Sequence, residues 1–520
     1  MDEILSRLRR RKARSRERLA ERGVAQRSLR ESPILGMLYS AAALAAAVLL
    51  MPPSPADHLW APQMLALALT WVGGRWLLTL VAPAVTRSNA TLLLHELTVV
   101  APLAGAWVIE SMAPNAAPPH AAAALRFAAP LTFAPLLMTL LFDAPAGLAA
   151  GAISGLALSV MRGFDPQTLA LALASALVCC RFAQAARTRT RVIRIAAGAA
   201  LAQLPVVAVA ILQDSSALPP VSHPLRALSV VAGSLGGAAA ALALLPVIER
   251  LFHRTSDIRL MAFADLGHPL LQRLALEAPG TYHHSLLVAN LAQAAADRVG
   301  ADGLLARVGC YFHDIGKLSR PQFFAENQGA DGNPHDDLPP NLSRMIITNH
   351  VKEGVCLAQL HGLPPPVLAC IREHHGTSVI TWFHDKARAQ QPRRRGRPRN
   401  APAPADEVVE ESHYRYGGPL PATREATIVS LADAIEAASR SLARVTPAHL
   451  ENLVSTIVER KLLDGQLDAS PLSFHELSAV KTSFVFTLTH LLHARIAYPG
   501  HAPHDSQPPA SVPTALSAAS

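Results

Sequence analysis

The 520-residue chain predicts an all-α protein in two parts, a polytopic α-helical membrane domain followed by a water-soluble all-α domain. Three observations carry this. Residues 34–248 are almost entirely Ala, Leu, Val, Gly and Pro, whereas 249–500 have the mixed composition of an ordinary globular protein. The apolar stretches approach the ~17–25 residues that cross a bilayer. In the second half, apolar residues recur at i, i+3 and i+4 between Gly and Pro, and strand-type alternation is scarce.

Taken in order, residues 1–33 form a basic segment, with eleven Lys/Arg against four Asp/Glu in 1–30. No small-residue cleavage site follows, so the segment reads as a cytoplasmic lead-in attracted to anionic lipid rather than a signal peptide. Membrane spans are expected at 34–52, 61–84, 92–112, 126–142, 145–162, 166–184, 193–213 and 226–248. Arg181, Arg187, Arg189, Arg191 and Arg194 fall in one connection, and Arg250, Arg254 and Arg259 follow the last span. The connections 53–60, 113–124 and 214–225 carry no Lys or Arg. Eight crossings with the N-terminus inside put both basic clusters on the cytoplasmic face of a bacterial-type inner membrane. Arg75, His95, Glu96 and Glu110 are polar residues within spans; His95 and Glu96 are expected near an interface, where snorkelling accommodates them.

Residues 249–280 read as an amphipathic connector and 281–497 as the soluble domain. The segment 386–413, with Arg393-Arg394-Arg395-Gly396-Arg397-Pro398-Arg399 and Ala-Pro repeats, reads as a disordered insertion, and 498–520 as a disordered tail. The net charge of +9 resides in 1–30 and 386–399; the remainder has 29 basic and 34 acidic residues, so no nucleic-acid partner is expected. The lipid bilayer is the expected partner of 34–248. Cys179, Cys180, Cys310, Cys356 and Cys370 form no CxxC pair and read as small buried hydrophobes.

The chemistry concentrates around His313-Asp314-Ile315-Gly316-Lys317. His284 lies 29 residues earlier, His350 lies 37 later, His374-His375 follow, and Asp433 closes the set. Imidazoles and carboxylates at the ends and inner faces of separate helices are how helical bundles build metal sites. Two divalent ions close together neutralise a phosphodiester's non-bridging oxygens and activate water. A set of His and Asp without Cys suits Fe, Mn or Zn better than Ca or Mg. His283 and His284 are about 100° apart on a helix, so only one of them faces the site.

The motifs Pro279-Gly280-Thr281-Tyr282-His283-His284-Ser285, His313-Asp314-Ile315-Gly316-Lys317, Glu326-Asn327-Gln328, Asn333-Pro334-His335-Asp336, His350, Glu373-His374-His375-Gly376-Thr377-Ser378 and Leu431-Ala432-Asp433 resemble the HD hydrolase domain of the membrane-bound 7TM-HD family. The resemblance covers about 250–497 and, more loosely, the preceding spans. It implies a cytoplasmic HD phosphohydrolase hydrolysing cyclic di-AMP to 5′-pApA with two Mn or Fe ions. It places one ion on His284, His313, Asp314 and Asp433 and the other on Asp314, His350, His374 and His375, with Asp314 bridging. Asp314 and Lys317 are the catalytic candidates, Lys317 for charge on the phosphate. Family members carry a large extracellular sensing domain after the first span, and 53–60 leave it no room. Alternatives are a cyclic di-GMP or other nucleotide phosphohydrolase, or a non-catalytic nucleotide-binding membrane receptor. The oligomeric state stays open, a homodimer being one arrangement.

Overall fold

The computed structural model describes residues 32–51, 60–116, 119–214, 220–329, 332–390, 409–442 and 446–493. The basic lead-in 1–30, the connection 53–59, the insertion's centre at 391–408 and the tail 498–520 lie outside those residues. The chain folds as two units, residues 1–265 and 266–520. All regular elements among the described residues are helical; the only pairing of strand type is an isolated bridge between Val379 and Arg415.

The first unit contains α1 (Pro33–Leu49), α2 (Trp60–Val81), α3 (Asn89–Ala116), α4 (Pro119–Leu125), α5 (Phe133–Leu141), α6 (Ala144–Met161), α7 (Pro166–Ala183), α8 (Arg189–Asp214), α9 (Ser222–Phe252) and α10 (Asp257–Phe263). Seven helical stretches among the described residues are long and apolar enough to cross a membrane, which makes this a multi-pass membrane protein. Pro33–Leu49, at 17 residues, is a shorter apolar helix, so the expected eighth span rests on it. Helix α6 is the centre of the unit. Gly147, Gly151 and Gly155 form one face, and a Cβ on Gly155 or Gly151 would stand 2.2 or 2.7 Å from the Cβ of Ala172 or Ala176 on α7. In lipid there is no hydrophobic drive between helices, so small residues that let backbones touch supply the contact.

One expected span is interrupted, and one expected placement is overturned. The span expected at 126–142 is matched by the apolar stretch Ala121–Leu141, but its helix is interrupted midway. Pro130 cannot donate a backbone hydrogen bond and pushes its predecessor out of the α region, and Ala129 is extended at φ −55°, ψ 134°. The break packs against α9, where a Cβ on Gly233 would lie 2.6 Å from the Ala128 carbonyl oxygen, and the Thr132 hydroxyl donates to the Ser234 carbonyl at 2.7 Å. Neighbouring protein thereby shields backbone that lipid could not satisfy. Nor do His95 and Glu96 snorkel: they are 2 % and 5 % exposed. Glu96 accepts from the Ser40 hydroxyl (2.6 Å) and the Trp71 indole (2.9 Å), while Arg75 donates to the Gly36 carbonyl (2.8 Å). These bonds tie α1, α2 and α3 together. Glu110 pairs with Arg162, the residue that caps the C-terminus of α6.

The second unit contains α11 (Pro269–Glu277), α12 (Pro279–Arg298), α13 (Gly303–Phe312), α14 (Pro340–Leu360), α15 (Pro365–Glu373), α16 (Thr381–Ala389), α17 (Arg424–Ser439), α18 (Pro447–Leu463) and α19 (Phe474–His493). Helix α12 lies at its middle, packed on α13, α17 and α19. Leu291, Ala292 and Ala295 of α12, Phe312 of α13, Leu431 of α17 and Phe484 of α19 are buried in this core. The segment 386–413 is ordered at both ends: α16 continues through Ala389, anchored by buried Phe383 and by Lys386 donating to the His335 carbonyl at 2.8 Å.

Candidate metal centre

The candidate ligands sit at helix ends (His313, Asp314, His374 and His375) or on the buried faces of helices (His284, His350 and Asp433). His284 is in the first two turns of α12, entered through Pro279, and it is buried while neighbouring His283 is exposed. Helix α13 starts under the Asp302 cap (Leu305 N to Oδ1, 2.9 Å) and stops at His313, delivering Asp314 to a 3-10 turn over Ile315–Ser319. Gly316 allows that turn to lie on α14, because a Cβ there would stand 1.8 Å from the His350 carbonyl oxygen. His374 closes α15, His375 follows it, and Asp433 is on α17.

The structure brings all seven residues together. His284, His313, Asp314 and Asp433 form one group and Asp314, His350, His374 and His375 a second, the ligand atoms of each lying within 4.8 Å of one another. Asp314 belongs to both. Its Oδ2 is 3.3 Å from His313 Nε2 and 3.7 Å from His284 Nε2, while its Oδ1 is 3.4 Å from His350 Nε2 and 3.7 Å from His374 Nε2. Asp433 also faces two ways, with Oδ1 3.1 Å from His284 Nε2 and Oδ2 3.6 Å from His375 Nδ1.

Backbone carbonyls set the rings. The Nδ1 atoms of His313, His350 and His374 lie 2.7, 2.6 and 2.9 Å from the carbonyl oxygens of Cys310, Ile347 and Ile371. A carbonyl only accepts, so Nδ1 carries the proton and Nε2 is left as the coordinating atom. His350 Nε2 and His374 Nε2 consequently face each other at 3.4 Å, an arrangement that a cation between them resolves. His313 Nε2 and Asp314 Oδ1 are buried without a hydrogen-bond partner. Unsatisfied buried acceptors converging in this way fit divalent ions.

The electrostatics agree. Burial lowers His374 to about 3 and also depresses His350 and His375, leaving neutral imidazoles of ligand type. Burial acts likewise on His313 and His284, but adjacent Asp314, Asp433 and Glu436 outweigh it and raise both, His313 to about 10. Burial opposes charge on Asp314 and Asp433 too, yet Lys317 and His313 for the first, and His284 and His313 for the second, hold each carboxyl well below its ordinary range. The site demands positive charge.

Lys317 is not a surface residue. Its ammonium sits 2.8 Å from Asp314 Oδ2 and 2.6 Å from Glu326 Oε1. Glu326 also accepts from the Thr281 hydroxyl at 2.9 Å, and the Asn327 side chain accepts from the Thr281 amide at 3.1 Å. Pro279-Gly280-Thr281 is thus bound to Glu326-Asn327, and Gly280 is required there because a Cβ would meet the Glu326 carbonyl at 1.8 Å.

The two clusters open into a cavity of about 730 Å³, into which Lys317, Phe324, Tyr416, Arg440 and Lys461 also project. Sequence reasoning singled out none of Glu436, Tyr416, Arg440 or Lys461. Glu436 Oε2 lies 2.5 Å from His284 Nδ1, orienting that ring, and Arg440 Nε reaches both Glu436 oxygens at 3.0 and 3.1 Å. The spacing Asp433-x-x-Glu436-x-x-x-Arg440 on one helix face was the available signal. Tyr416 packs on His375 with ring centroids 4.2 Å apart, a long-range contact without local signature.

A helical domain built around a His-Asp pair, with a carboxylate shared by two ligand clusters, defines the HD class, and residues 281–438 match the HD domain family. Residues 63–256 match the family described as 7TM receptor with intracellular HD hydrolase, so a 7TM-type membrane domain precedes an HD domain in this chain. The chain is 42% identical over 258 residues to the cyclic-di-AMP phosphodiesterase PgpH of Bacillus subtilis, covering 50% of this chain and 34% of that protein. It is 38% identical over 267 residues to the Listeria monocytogenes PgpH (51% and 35%). It is 36% identical over 351 residues to the uncharacterized protein slr0104 of Synechocystis (67% and 42%). The matched segments thus span about a third of the length of the two PgpH relatives. The crystal structure of the L. monocytogenes PgpH HD domain in complex with cyclic-di-AMP is 39% identical, covers 44% of this chain and 99% of that chain, and has a TM-score of 0.40.

Proposed function

We propose that this chain is a membrane-anchored, dinuclear-metal phosphodiesterase that hydrolyses a cyclic dinucleotide, cyclic di-AMP to 5′-pApA, with the HD domain in the cytoplasm. The observation that carries this reading is Asp314, whose two oxygens face two separate ligand clusters. The similarity to proteins named cyclic-di-AMP phosphodiesterase supports the substrate.

His284, His313, Asp314 and Asp433 would hold one ion, and Asp314, His350, His374 and His375 the other; Mn or Fe suits these donors. Such ions, when bound, would supply positive charge for the phosphate oxygens and lower the pKa of water. The residues do the rest. Glu436 and three backbone carbonyls hold four imidazoles in the coordinating orientation. Lys317 and Glu326 fix the Asp314 carboxylate, so it reaches both clusters without rearranging. Lys317 also lines the cavity and lies next to where a phosphate would enter.

The test uses the full chain in detergent micelles, loaded with Mn²⁺ or Fe²⁺ and given cyclic di-AMP, cyclic di-GMP or a guanosine polyphosphate, with products followed by chromatography. We expect turnover of cyclic di-AMP to a linear dinucleotide, and none by Asp314→Ala. A metal-loaded chain that cleaves no cyclic dinucleotide would sink the reading and favour a non-catalytic receptor.

A further inference from the structure

Lys317, Arg440 and Lys461 are the cations that line the cavity beside the ligand clusters among the described residues. Two of them are committed. Lys317 lies between Asp314 and Glu326, and Arg440 grips both oxygens of Glu436, which itself holds His284. Lys461, reaching in from α18, differs. Its Nζ donates to the Ser430 hydroxyl at 2.8 Å and, among the described residues, pairs with no carboxylate within 4.0 Å.

An ammonium withdrawn from water without a carboxylate in direct contact is costly, and burial pulls Lys461 down to about 8, outweighing the attraction of Asp433 and Asp464 beyond contact distance. An anion entering the cavity offsets that cost. Ser430 stands one helical turn before Asp433 on α17, so its bond to Lys461 fixes the ammonium relative to the ligand clusters.

A cyclic dinucleotide carries two phosphodiesters on opposite sides of one ring. The paired clusters engage the one that reacts; the other must also leave water, and it needs a cation not already neutralised by protein. We propose that Lys461 binds the second, non-reacting phosphate and so selects cyclic dinucleotides over diesters with a single phosphate. This rests on the phosphodiesterase reading above. Lys317, the lysine that the local motif points to, is spoken for, and the free charge comes from a helix more than a hundred residues further along the chain.

The experiment compares the full Mn²⁺-loaded chain with Lys461→Met and Lys461→Arg on cyclic di-AMP, cyclic di-GMP and bis(4-nitrophenyl) phosphate, which has one phosphate. Metal content is measured for each protein. Losing one charge-assisted bond to phosphate is expected to raise KM for the cyclic dinucleotide about 10- to 100-fold, with kcat much less affected. Lys461→Arg should recover most of that loss. The loss in kcat/KM on bis(4-nitrophenyl) phosphate should be at least about tenfold smaller than on the cyclic dinucleotide. Equal losses on both substrates, or a fall in bound metal, would mark Lys461 as structural and overturn the assignment, as would an unchanged KM. If the wild-type chain cleaves bis(4-nitrophenyl) phosphate but no cyclic dinucleotide, the substrate reading itself fails and this assignment falls with it. That outcome shows in the wild type, before any variant is made.

Discussion

The membrane unit and the HD domain are both helical, and both bury charged side chains, yet they treat them in opposite ways. In the membrane unit Glu96 is closed by Ser40 and Trp71, and Glu110 by Arg162. In the HD domain His313 Nε2 and Asp314 Oδ1 are left bare among five other ligand-type side chains. The difference separates glue from site. A buried polar group that finds a partner on the next helix holds two helices together, whereas several that converge without satisfying one another await a ligand. His95 tests the boundary. It too is buried with neither ring nitrogen hydrogen-bonded, but it joins neither of the metal-type groups found among the described residues.

The comparison can be broken most forcefully at Asp314. Asp314→Ala should abolish turnover, by about a thousandfold or more, because it removes a ligand from both ions. Elemental analysis should show loss of most bound metal with the helical circular dichroism retained. Retained metal in the variant would remove the bridging role.

The next effect is in the membrane unit, where packing rather than polarity is at stake. Gly155→Leu places a side chain where even a Cβ would stand 2.2 Å from Ala172 Cβ. A cost of at least about 1–3 kcal/mol for such overpacking should lower the melting temperature of the chain in detergent while leaving metal content at the HD domain unchanged. An unchanged melting temperature would argue against the close α6–α7 contact.

Glu436→Gln should weaken metal binding about 10- to 100-fold, because His284 loses the carboxylate that orients and polarises it. Equilibrium dialysis against Mn²⁺ measures this without reference to activity, and an affinity equal to wild type would remove the positioning role.

The smallest effect is a dependence on pH. His313 is raised to about 10 by Asp314 and Asp433 in spite of burial, so the metal-free site holds a proton at neutral pH. A group with a raised folded-state pKa stabilises the metal-free fold at low pH, fully below about 6.5, and that contribution disappears as pH rises through about 10. An entering ion displaces the proton, so apparent metal affinity should climb with pH between 7 and 9, by up to about tenfold per unit for each proton released. Affinity falling over that interval would mean that no proton is displaced from His313.

Much of the site was legible because its ligands sit in short motifs, His313-Asp314 before Gly316 and His374-His375 before Gly376 at helix ends, and Asp433 within a largely apolar helix. The span expected at 126–142 is matched by the apolar stretch Ala121–Leu141, but its interruption was not legible, because a composition window counts Pro130 as one apolar residue and does not see the turn it forces. Glu436 lies one helical turn beyond Asp433 and could have been found by spacing. Lys461 and Tyr416 could not, since what matters about them is the company they keep across the fold.

By itself the sequence determined which stretches are helical and which half belongs in lipid, because hydrophobic periodicity and hydropathy are local properties of the chain. It also determined the ligand types, because imidazole and carboxylate carry their chemistry wherever they fall. Only the tertiary structure decided which charges remain uncommitted. Asp314 faces two clusters because Gly316 lets its turn lie on the His350 backbone. Lys317 is neutralised because the chain folds Glu326 back onto it, and Lys461 stays without an ion pair because Asp433 and Asp464 act on it only from beyond 4.0 Å among the described residues. Charge is written in the sequence, but neutralisation depends on distance, and distance belongs to the fold.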